Sequence, residues 1–255
     1  MTKLFLFDVD GTIVDSGQKI KDEMVYSLNK LRSNGHEIGI VGGGKLDKIL
    51  EQMNNKIYFN HYFSECGCVY NKNILTDSIQ LEEIYKKNIR THPLYLEINI
   101  LIKYCLKFLS NVDYTLIGHF IDLRNGIIYI SLIGLTATQD EREYFMNLDK
   151  INNYRKKLLE SLLYISVNLG VNNKIDIVEG GSVGIAIYPS EYDKIQVMQE
   201  LDKLGENYYE KIYYFGDKYE ENGNDYKIIN DERVIGVPVN NYIDTINYLN
   251  NLDNL

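Results

Sequence analysis

Four aspartates are spaced so that they could hold a metal ion and react with a phosphate group. Asp8 and Asp10 follow directly after Leu4 to Phe7, a short apolar run that predicts a buried strand. Asp217 follows a second apolar run, and Asp225 lies a short loop later. Neighbouring carboxylates repel each other unless a cation lies between them, and Mg²⁺ prefers oxygen ligands. Because α/β sheets bind ligands at the carboxyl ends of their strands, we predict a Mg²⁺ site there, formed by Asp8, Asp10, Asp217 and Asp225.

These residue types in this arrangement are typical of phosphoryl transfer. With the phosphate neutralised by the metal, Asp8 could attack phosphorus and form an aspartyl-phosphate. Asp10 is placed to give a proton to the leaving oxygen and later to take one from the incoming hydroxyl. A lysine near the nucleophile would stabilise the phosphoryl oxygens. We take Lys194, at the predicted start of a helix, as the candidate for that third catalytic role.

The pattern of elements predicts an α/β fold whose parallel sheet is interrupted by an insert. Strand-like and helical segments alternate up to about residue 53 and again after about residue 192, as in sheets with right-handed crossovers. Between them lie a long helix near residues 98–108 and a polar helical stretch from about 139 to 168. An Asn125-Gly126 hairpin turn and two later strand-like runs predict an antiparallel sheet beside those helices.

Composition excludes several classes of protein. The 255 residues are 45% hydrophobic and 25% charged, as in ordinary globular proteins, and the formal charge of -9 argues against a nucleic-acid partner. Cys66, Cys68 and Cys105 fit neither a disulfide framework nor a usual zinc site, which indicates reduced thiols. No stretch approaches the ~20 apolar residues that span a bilayer. The expected location is therefore the cytoplasm, without a membrane partner.

The string from Phe7 to Thr12 resembles the first motif of the haloacid dehalogenase superfamily. Further segments resemble the eukaryotic-type phosphomannomutase family, in order along the chain as far as about Gly236. They are Gln18-Lys19-Ile20, Ile40-Val41-Gly42-Gly43, Leu123-Arg124-Asn125-Gly126, Ile133-Gly134, Glu141-Arg142, Leu148-Asp149-Lys150, Asp193-Lys194, Phe215-Gly216-Asp217-Lys218 and Gly223-Asn224-Asp225.

The resemblance implies both an architecture and a reaction. Residues 1–81 and 189–255 would form a Rossmann-like catalytic core, and residues 82–188 a cap that determines substrate specificity. The reaction would interconvert mannose 6-phosphate and mannose 1-phosphate through a hexose bisphosphate, with a hexose 1,6-bisphosphate as a possible activator. The family's proteins are typically homodimers joined through their caps.

Roles for individual residues follow from the same resemblance. Asp8 would be the nucleophile and Asp10 the acid/base, while Mg²⁺ would be held by Asp8, the Asp10 backbone carbonyl and Asp217. The cap would supply Arg124 and Arg142 to bind the phosphate that is not reacting.

Departures from the family pattern concentrate on substrate binding. Gly17 and Leu135 replace arginines, and the family's Ser-Phe-Asp reads Gly184-Ile185-Ala186. Gly44 replaces a serine, and Val234 replaces a threonine of a second metal loop that keeps Asp231.

These losses leave two alternatives to a hexose-phosphate mutase. A charge-assisted hydrogen bond contributes about 1.5–3 kcal/mol, so two missing arginines could weaken phosphate binding considerably. One alternative is a sugar-phosphate phosphatase on the same scaffold that has lost mutase activity. The other, less favoured, is a non-enzymatic binding protein, since Asp8, Asp10, Lys194 and Asp217 are all retained.

Overall fold

The computed structural model describes residues 2–75, 77–205, 208–221 and 223–252. Contacts divide the chain into two compact units: Met1–Lys86 with Asp193–Leu255, and Lys87–Tyr192. The sequence places these divisions at 81/82 and 188/189 instead. The first division moves because β5 (Leu81–Lys86) pairs with the sheet of the first unit.

The first unit is built on a seven-stranded sheet with helices. In chain order its elements are β1 (Leu4–Phe7), α1 (Asp22–Ser33), β2 (Glu37–Val41), α2 (Leu46–Met53), β3 (His61–Ser64), β4 (Val69–Asn73) and β5. After the insert come α6 (Gln196–Asp202), β10 (Ile212–Gly216), α7 (Tyr226–Ile229), β11 (Ile235–Pro238) and α8 (Tyr242–Asn251). The inserted unit contains α3 (Tyr95–Leu109), β6 (Ile121–Leu123), β7 (Ile128–Ser131), α4 (Gln139–Asn152), α5 (Tyr154–Asn168), β8 (Ile175–Gly180) and β9 (Gly184–Pro189).

The large sheet has the order β11-β10-β1-β2-β3-β4-β5, with parallel neighbours from β11 to β3 and an antiparallel edge from β3 to β5. The predicted α/β class is therefore confirmed. Strand β1 lies inside the sheet, and its side chains alternate between two hydrophobic cores: Phe5 and Phe7 pack into one, Leu4 and Leu6 into the other. A strand buried on both faces explains the uninterrupted apolar run before Asp8.

The inserted unit has its own four-stranded antiparallel sheet, in the order β6-β7-β9-β8. The Asn125-Gly126 hairpin is confirmed by the pairing of β6 with β7. The polar helical stretch expected over 139–168 is present as two helices, because Asn153 adopts a left-handed conformation (φ 56°) and separates α4 from α5. Asparagine tolerates this conformation better than most residues. Within the described residues, no helix is long and apolar enough to cross a membrane.

Candidate active site

Adjacent parallel strands position Asp8 and Asp217. Phe7 of β1 is in register with Phe215 of β10, and their rings stack with centroids 4.8 Å apart. The ladder continues one residue further, since the Asp8 N–H donates to the Phe215 carbonyl oxygen at 2.9 Å. Asp8 and Asp217 consequently follow the carboxyl ends of neighbouring strands, as their positions after two apolar runs predict.

Two glycines allow the carboxylates to approach the backbone closely. A Cβ atom added to Gly11, whose φ is +88°, would lie 2.5 Å from Asp217 Oδ2. A Cβ atom at Gly216 would lie 2.5 Å from Asp225 Cγ. Any side chain at either position would therefore displace a carboxylate of the site.

Lys194 joins two of these aspartates inside the protein. Its Nζ lies 2.5 Å from Asp8 Oδ1 and 2.7 Å from Asp225 Oδ1, and both Lys194 and Asp225 are fully buried. Asp225 also accepts hydrogen bonds from the Tyr214 hydroxyl at 2.5 Å and the Lys218 N–H at 3.0 Å. The sequence predicts that Lys194 starts a helix; the structure instead places it in the turn before α6, which begins at Gln196.

Burial and charge act in opposite directions on the protonation of this pair. Burial raises the pKa of Asp8 to about 7, against the opposing attraction of Lys194, while Asp225 and Asp217 raise it further. For Lys194, burial acts to lower the pKa, but the charges of Asp225 and Asp8 outweigh it and hold the pKa well above its usual value. The lysine is therefore charged, and metal-free Asp8 titrates near neutral pH.

Three carboxylates cluster in a way that suits a divalent cation. Asp8, Asp217 and Asp225 each offer an oxygen, and these oxygens lie within 4.8 Å of one another. Within the described part of the chain, Asp217 Oδ1 and Asn224 Oδ1 are buried without a hydrogen-bond partner. Unpaired buried oxygens are costly. A hard cation in the cluster would provide a partner for Asp217 Oδ1 and relieve the mutual repulsion of the carboxylates.

Asp10 is held separately from this cluster. Its Oδ1 accepts hydrogen bonds from the Gly17 N–H and from Gln52 Nε2, both at 2.8 Å, and its Oδ2 lies 3.2 Å from Lys48 Nζ. Burial acts to raise the pKa of Asp10, but these three donors outweigh it, so the pKa lies below its usual value. A part for Asp10 in metal binding, through its backbone carbonyl, stays a prediction.

Lys48 and Gln52 are site residues that the sequence reasoning missed. Both belong to α2, where a spacing of four residues places them on the same helix face. Gln52 is buried, although glutamine is seldom buried without partners. The sequence does contain a signal that could have indicated them. The helix that follows Gly42-Gly43-Gly44 carries this polar pair at positions i and i+4, on the side opposite its apolar residues.

Arg124 and Arg142 lie in the inserted unit. Arg124 Nε pairs with Asp122 Oδ2 at 2.8 Å. Arg142 donates to two backbone carbonyls, from Nε to Ala137 at 3.1 Å and from Nη2 to Leu135 at 3.2 Å. Leu135, which stands where the family pattern has an arginine, thus contacts Arg142 through its backbone.

Asp231, in the second metal loop that the family pattern suggests, forms an ion pair with Arg233. Arg233 binds Asp231 through Nε at 2.7 Å and Nη2 at 2.7 Å, and this ion pair lowers the pKa of Asp231. The Arg233 N–H donates to the same carboxylate at 3.0 Å.

Comparisons with known proteins agree with this geometry. The family model described as eukaryotic phosphomannomutase matches residues 24–255. A phosphomannomutase of Saccharomyces cerevisiae is 35% identical over 255 residues, covering 99% of this chain and 94% of the relative. One of Babesia bovis is 30% identical, covering 98% and 97%.

Solved structures share the fold at low identity. An IMP-nucleotidase of Plasmodium falciparum with IMP bound matches with a TM-score of 0.65 at 15% identity, covering 100% of this chain and 68% of that chain. The C-terminal domain of a trehalose-6-phosphate phosphatase of C. albicans matches with a TM-score of 0.54 at 16% identity, covering 85% and 70%. At such identities the likeness concerns the fold alone. By its full-length sequence relatives, the chain belongs to the eukaryotic phosphomannomutase family.

Proposed function

We propose that this protein interconverts mannose 6-phosphate and mannose 1-phosphate, or a related pair of hexose phosphates, through an aspartyl-phosphate on Asp8. The observation that carries the proposal is the buried contact of Lys194 with Asp8 and Asp225, in a chain of the phosphomannomutase family. Full-length relatives named as mutases favour this reaction over the phosphatase alternative.

The proposed chemistry assigns each group one task. An Asp8 carboxylate oxygen attacks phosphorus while the bond from phosphorus to the sugar oxygen breaks. Asp10 protonates the departing sugar oxygen and, in the return step, takes the proton of the hydroxyl that attacks the aspartyl-phosphate. The three donors around Asp10 favour its ionised form, which suits the base step. Lys194 holds Asp8 in place and balances its charge.

The metal is proposed to be Mg²⁺, held by Asp8 and Asp217 with Asp225 beside them and the Asp10 backbone carbonyl as a further ligand. The orphaned Asp217 Oδ1 supports this assignment. When bound, the ion would neutralise phosphate charge and so permit attack by an anionic carboxylate.

The remaining assignments concern the inserted unit and the surroundings of the enzyme. We propose that Lys87–Tyr192 acts as a substrate-specificity cap, in which Arg124 and Arg142 bind the non-reacting phosphate. A cytoplasmic location, a hexose 1,6-bisphosphate activator and a homodimer joined through the cap are proposed with it. Exposed apolar residues on α3 and α5, among them Leu96, Tyr164 and Val167, support a cap-to-cap contact. Sedimentation of wild type against Leu96→Asp tests the dimer.

The test of function is incubation with mannose 1-phosphate and Mg²⁺, with and without a hexose 1,6-bisphosphate. We expect mannose 6-phosphate to form and its rate to depend on the activator. Inorganic phosphate as the main product, independent of activator, would replace the mutase proposal with the phosphatase. Beryllium fluoride, which mimics the aspartyl-phosphate, should inhibit wild type, and Asp8→Asn serves as the inactive control.

A further inference from the structure

Tyr129 lies in the middle of one face of the four-stranded sheet. Strand pairing places Asp122, Tyr129, Ala186 and Val178 opposite one another in a single row across β6, β7, β9 and β8. The alternate positions of the same strands are mainly isoleucines, which pack with the helices into a hydrophobic core. Tyr129 therefore lies on the opposite face of the sheet from those isoleucines, and its side chain is half-buried there.

The Tyr129 ring lies against glycines of β8 and β9. A Cβ atom at Gly180 would lie 2.9 Å from ring atom Cε2, and one at Gly184 would lie 2.5 Å from both Cζ and the hydroxyl oxygen. A side chain at Gly184 would also meet the Ile130 carbonyl oxygen. The Tyr129 hydroxyl donates to the Gly180 carbonyl at 3.0 Å, which fixes the ring in this place.

Three arginines influence Tyr129, one by contact with the ring and all three by their charge. The Arg124 guanidinium carbon lies 5.4 Å from the ring centroid, within the range of a cation–π contact. Burial raises the pKa of Tyr129, and the charges of Arg142, Arg124 and Arg155 oppose that rise, so all three act on its hydroxyl. Arg155 bonds the Gly181 carbonyl through Nη1 at 3.4 Å, beside the glycines that carry the ring.

Arg142 keeps hydrogen-bonding capacity for a ligand. Two of its five N–H groups donate to backbone carbonyls. Among the described residues, its remaining N–H groups have no acceptor. Arg124, by contrast, is oriented by Asp122 and by the Tyr129 ring.

We propose that Tyr129, whose ring occupies the space that Gly180 and Gly184 leave open, is the positioning residue of the phosphate-binding face of the cap: its ring holds Arg124 in place for the phosphate. This inference rests on the proposed function, because it takes the non-reacting phosphate of a sugar phosphate as the ligand of these arginines. It also accounts for the glycine at position 184. The Tyr129 ring and the Ile130 carbonyl oxygen together leave no room for the serine of the family pattern.

The sharpest test is a double-mutant cycle on the whole protein. Tyr129→Ala should raise KM for mannose 1-phosphate roughly 5- to 30-fold and change kcat less than about threefold, since the ring acts on binding through Arg124. In an Arg124→Ala background the same change should cost less than about twofold. Equal costs in both backgrounds would show that Tyr129 does not act through Arg124 and would overturn the inference.

Two further variants separate positioning from a general effect on the fold. Tyr129→Phe keeps the ring and should retain a KM within about threefold of wild type. Gly180→Ala, which presses on the ring edge, should raise KM in the wild-type background but not in the Tyr129→Ala background. A Tyr129→Phe variant as impaired as Tyr129→Ala would refute the role given to the ring. Tyr144→Ala, an exposed tyrosine on α4, is the matched control.

Calorimetric titration with mannose 1-phosphate distinguishes failure of this inference from failure of the proposed function. If wild type binds the ligand without isomerising it, the mutase proposal fails, and the ratio of Kd between Tyr129→Ala and wild type still tests the positioning. Unchanged Kd in Tyr129→Ala, with wild-type turnover intact, overturns the inference alone. If wild type neither binds nor converts mannose 1-phosphate, both proposals fail.

Discussion

Charged side chains are compensated differently in the two units, at the carboxylate site of the first unit and on the arginine-bearing sheet face of the inserted unit. In the first unit the charged groups satisfy one another: buried Lys194 contacts Asp8 and Asp225 directly. In the inserted unit the arginines are held by a neighbouring carboxylate, by backbone carbonyls and by a ring. The first arrangement does not tolerate the loss of a member, because an uncompensated buried charge remains.

The largest effect expected from this contrast is on Asp8. Asp8→Asn removes the nucleophile and a metal-binding oxygen together, and should lower turnover by roughly 10⁴-fold or more. A steady-state assay with thermal unfolding as the folding check measures this. Asp140→Asn, at an exposed position on α4, is the control. Substantial turnover in a folded Asp8→Asn variant would rule out the covalent route.

Removal of the buried positive charge of Lys194 should lower both the stability of the protein and the rate of the reaction. Lys194→Met leaves Asp8 and Asp225 facing each other, and should lower the free energy of unfolding by about 3–5 kcal/mol in the metal-free protein. The rate should fall by roughly 10²-fold or more, as the phosphoryl oxygens lose a charge-assisted contact. Denaturant unfolding measures the first effect. Lys218→Met, an exposed lysine paired with Asp217, should cost less than about 1 kcal/mol; equal costs for both would contradict the comparison.

Metal affinity should depend on pH through Asp8. Its pKa in the metal-free protein, about 7, lies above the usual value because of burial, so protons compete with the metal below pH 7. Apparent Mg²⁺ affinity should fall up to about tenfold per pH unit below 7 and level off above it. Since the folded state binds the extra proton, the contribution of Asp8 to metal-free stability is present at low pH and is lost as pH rises through 7.

Thermal shift measurements check both parts of this pH argument. The increase in Tm on adding Mg²⁺ should be larger at pH 8 than at pH 5.5. In Asp8→Asn, which cannot titrate at this position, the increase should vary much less with pH. A pH-independent increase in wild type would show that Asp8 is not the group competing with the metal.

The smallest effect is expected at Gln52, which positions Asp10. Gln52→Ala removes a 2.8 Å hydrogen bond to Oδ1 and should lower kcat by roughly 3- to 10-fold. Because the lost bond favoured the ionised carboxylate, the pKa of Asp10 should rise, moving the acidic limb of the rate profile to higher pH. Ile243→Ala, an exposed residue of α8, is the control; an unchanged limb would remove Gln52 from the account of Asp10.

The two units also differ in how much of them the sequence reveals. Asp8 and Asp217 can be predicted because each follows an apolar strand, and parallel strands end at the same edge of a sheet. For Lys194 the only local indication is its position at a predicted helix start, and the family resemblance gives the stronger indication. Lys48 and Gln52 form a polar pair at i and i+4 of α2, but only the folded structure shows that both contact Asp10.

In the inserted unit, the limiting information is strand register. Tyr129 meets Gly180 and Gly184 only because β7, β9 and β8 pair at one particular offset. A shift of one residue would place the ring on the opposite face. The antiparallel strand β5 was not predicted either, since Leu81–Lys86 lacks a regular alternation of apolar and polar residues.

The interrupted first unit has a consequence for synthesis on the ribosome. Strand β1 pairs with β2 on one side and with β10 on the other, and β10 begins at Ile212, about 200 residues after Leu4. At roughly 5–20 residues per second, the nascent chain holds an open edge of β1 for about 10–40 s. During that interval the inserted unit, which is continuous in sequence, can fold on its own contacts. Asp217 and Asp225 are synthesised after Asp8 and Lys194, so on the proposed mechanism a truncated or stalled chain carries Asp8 without its partners and should not transfer phosphate.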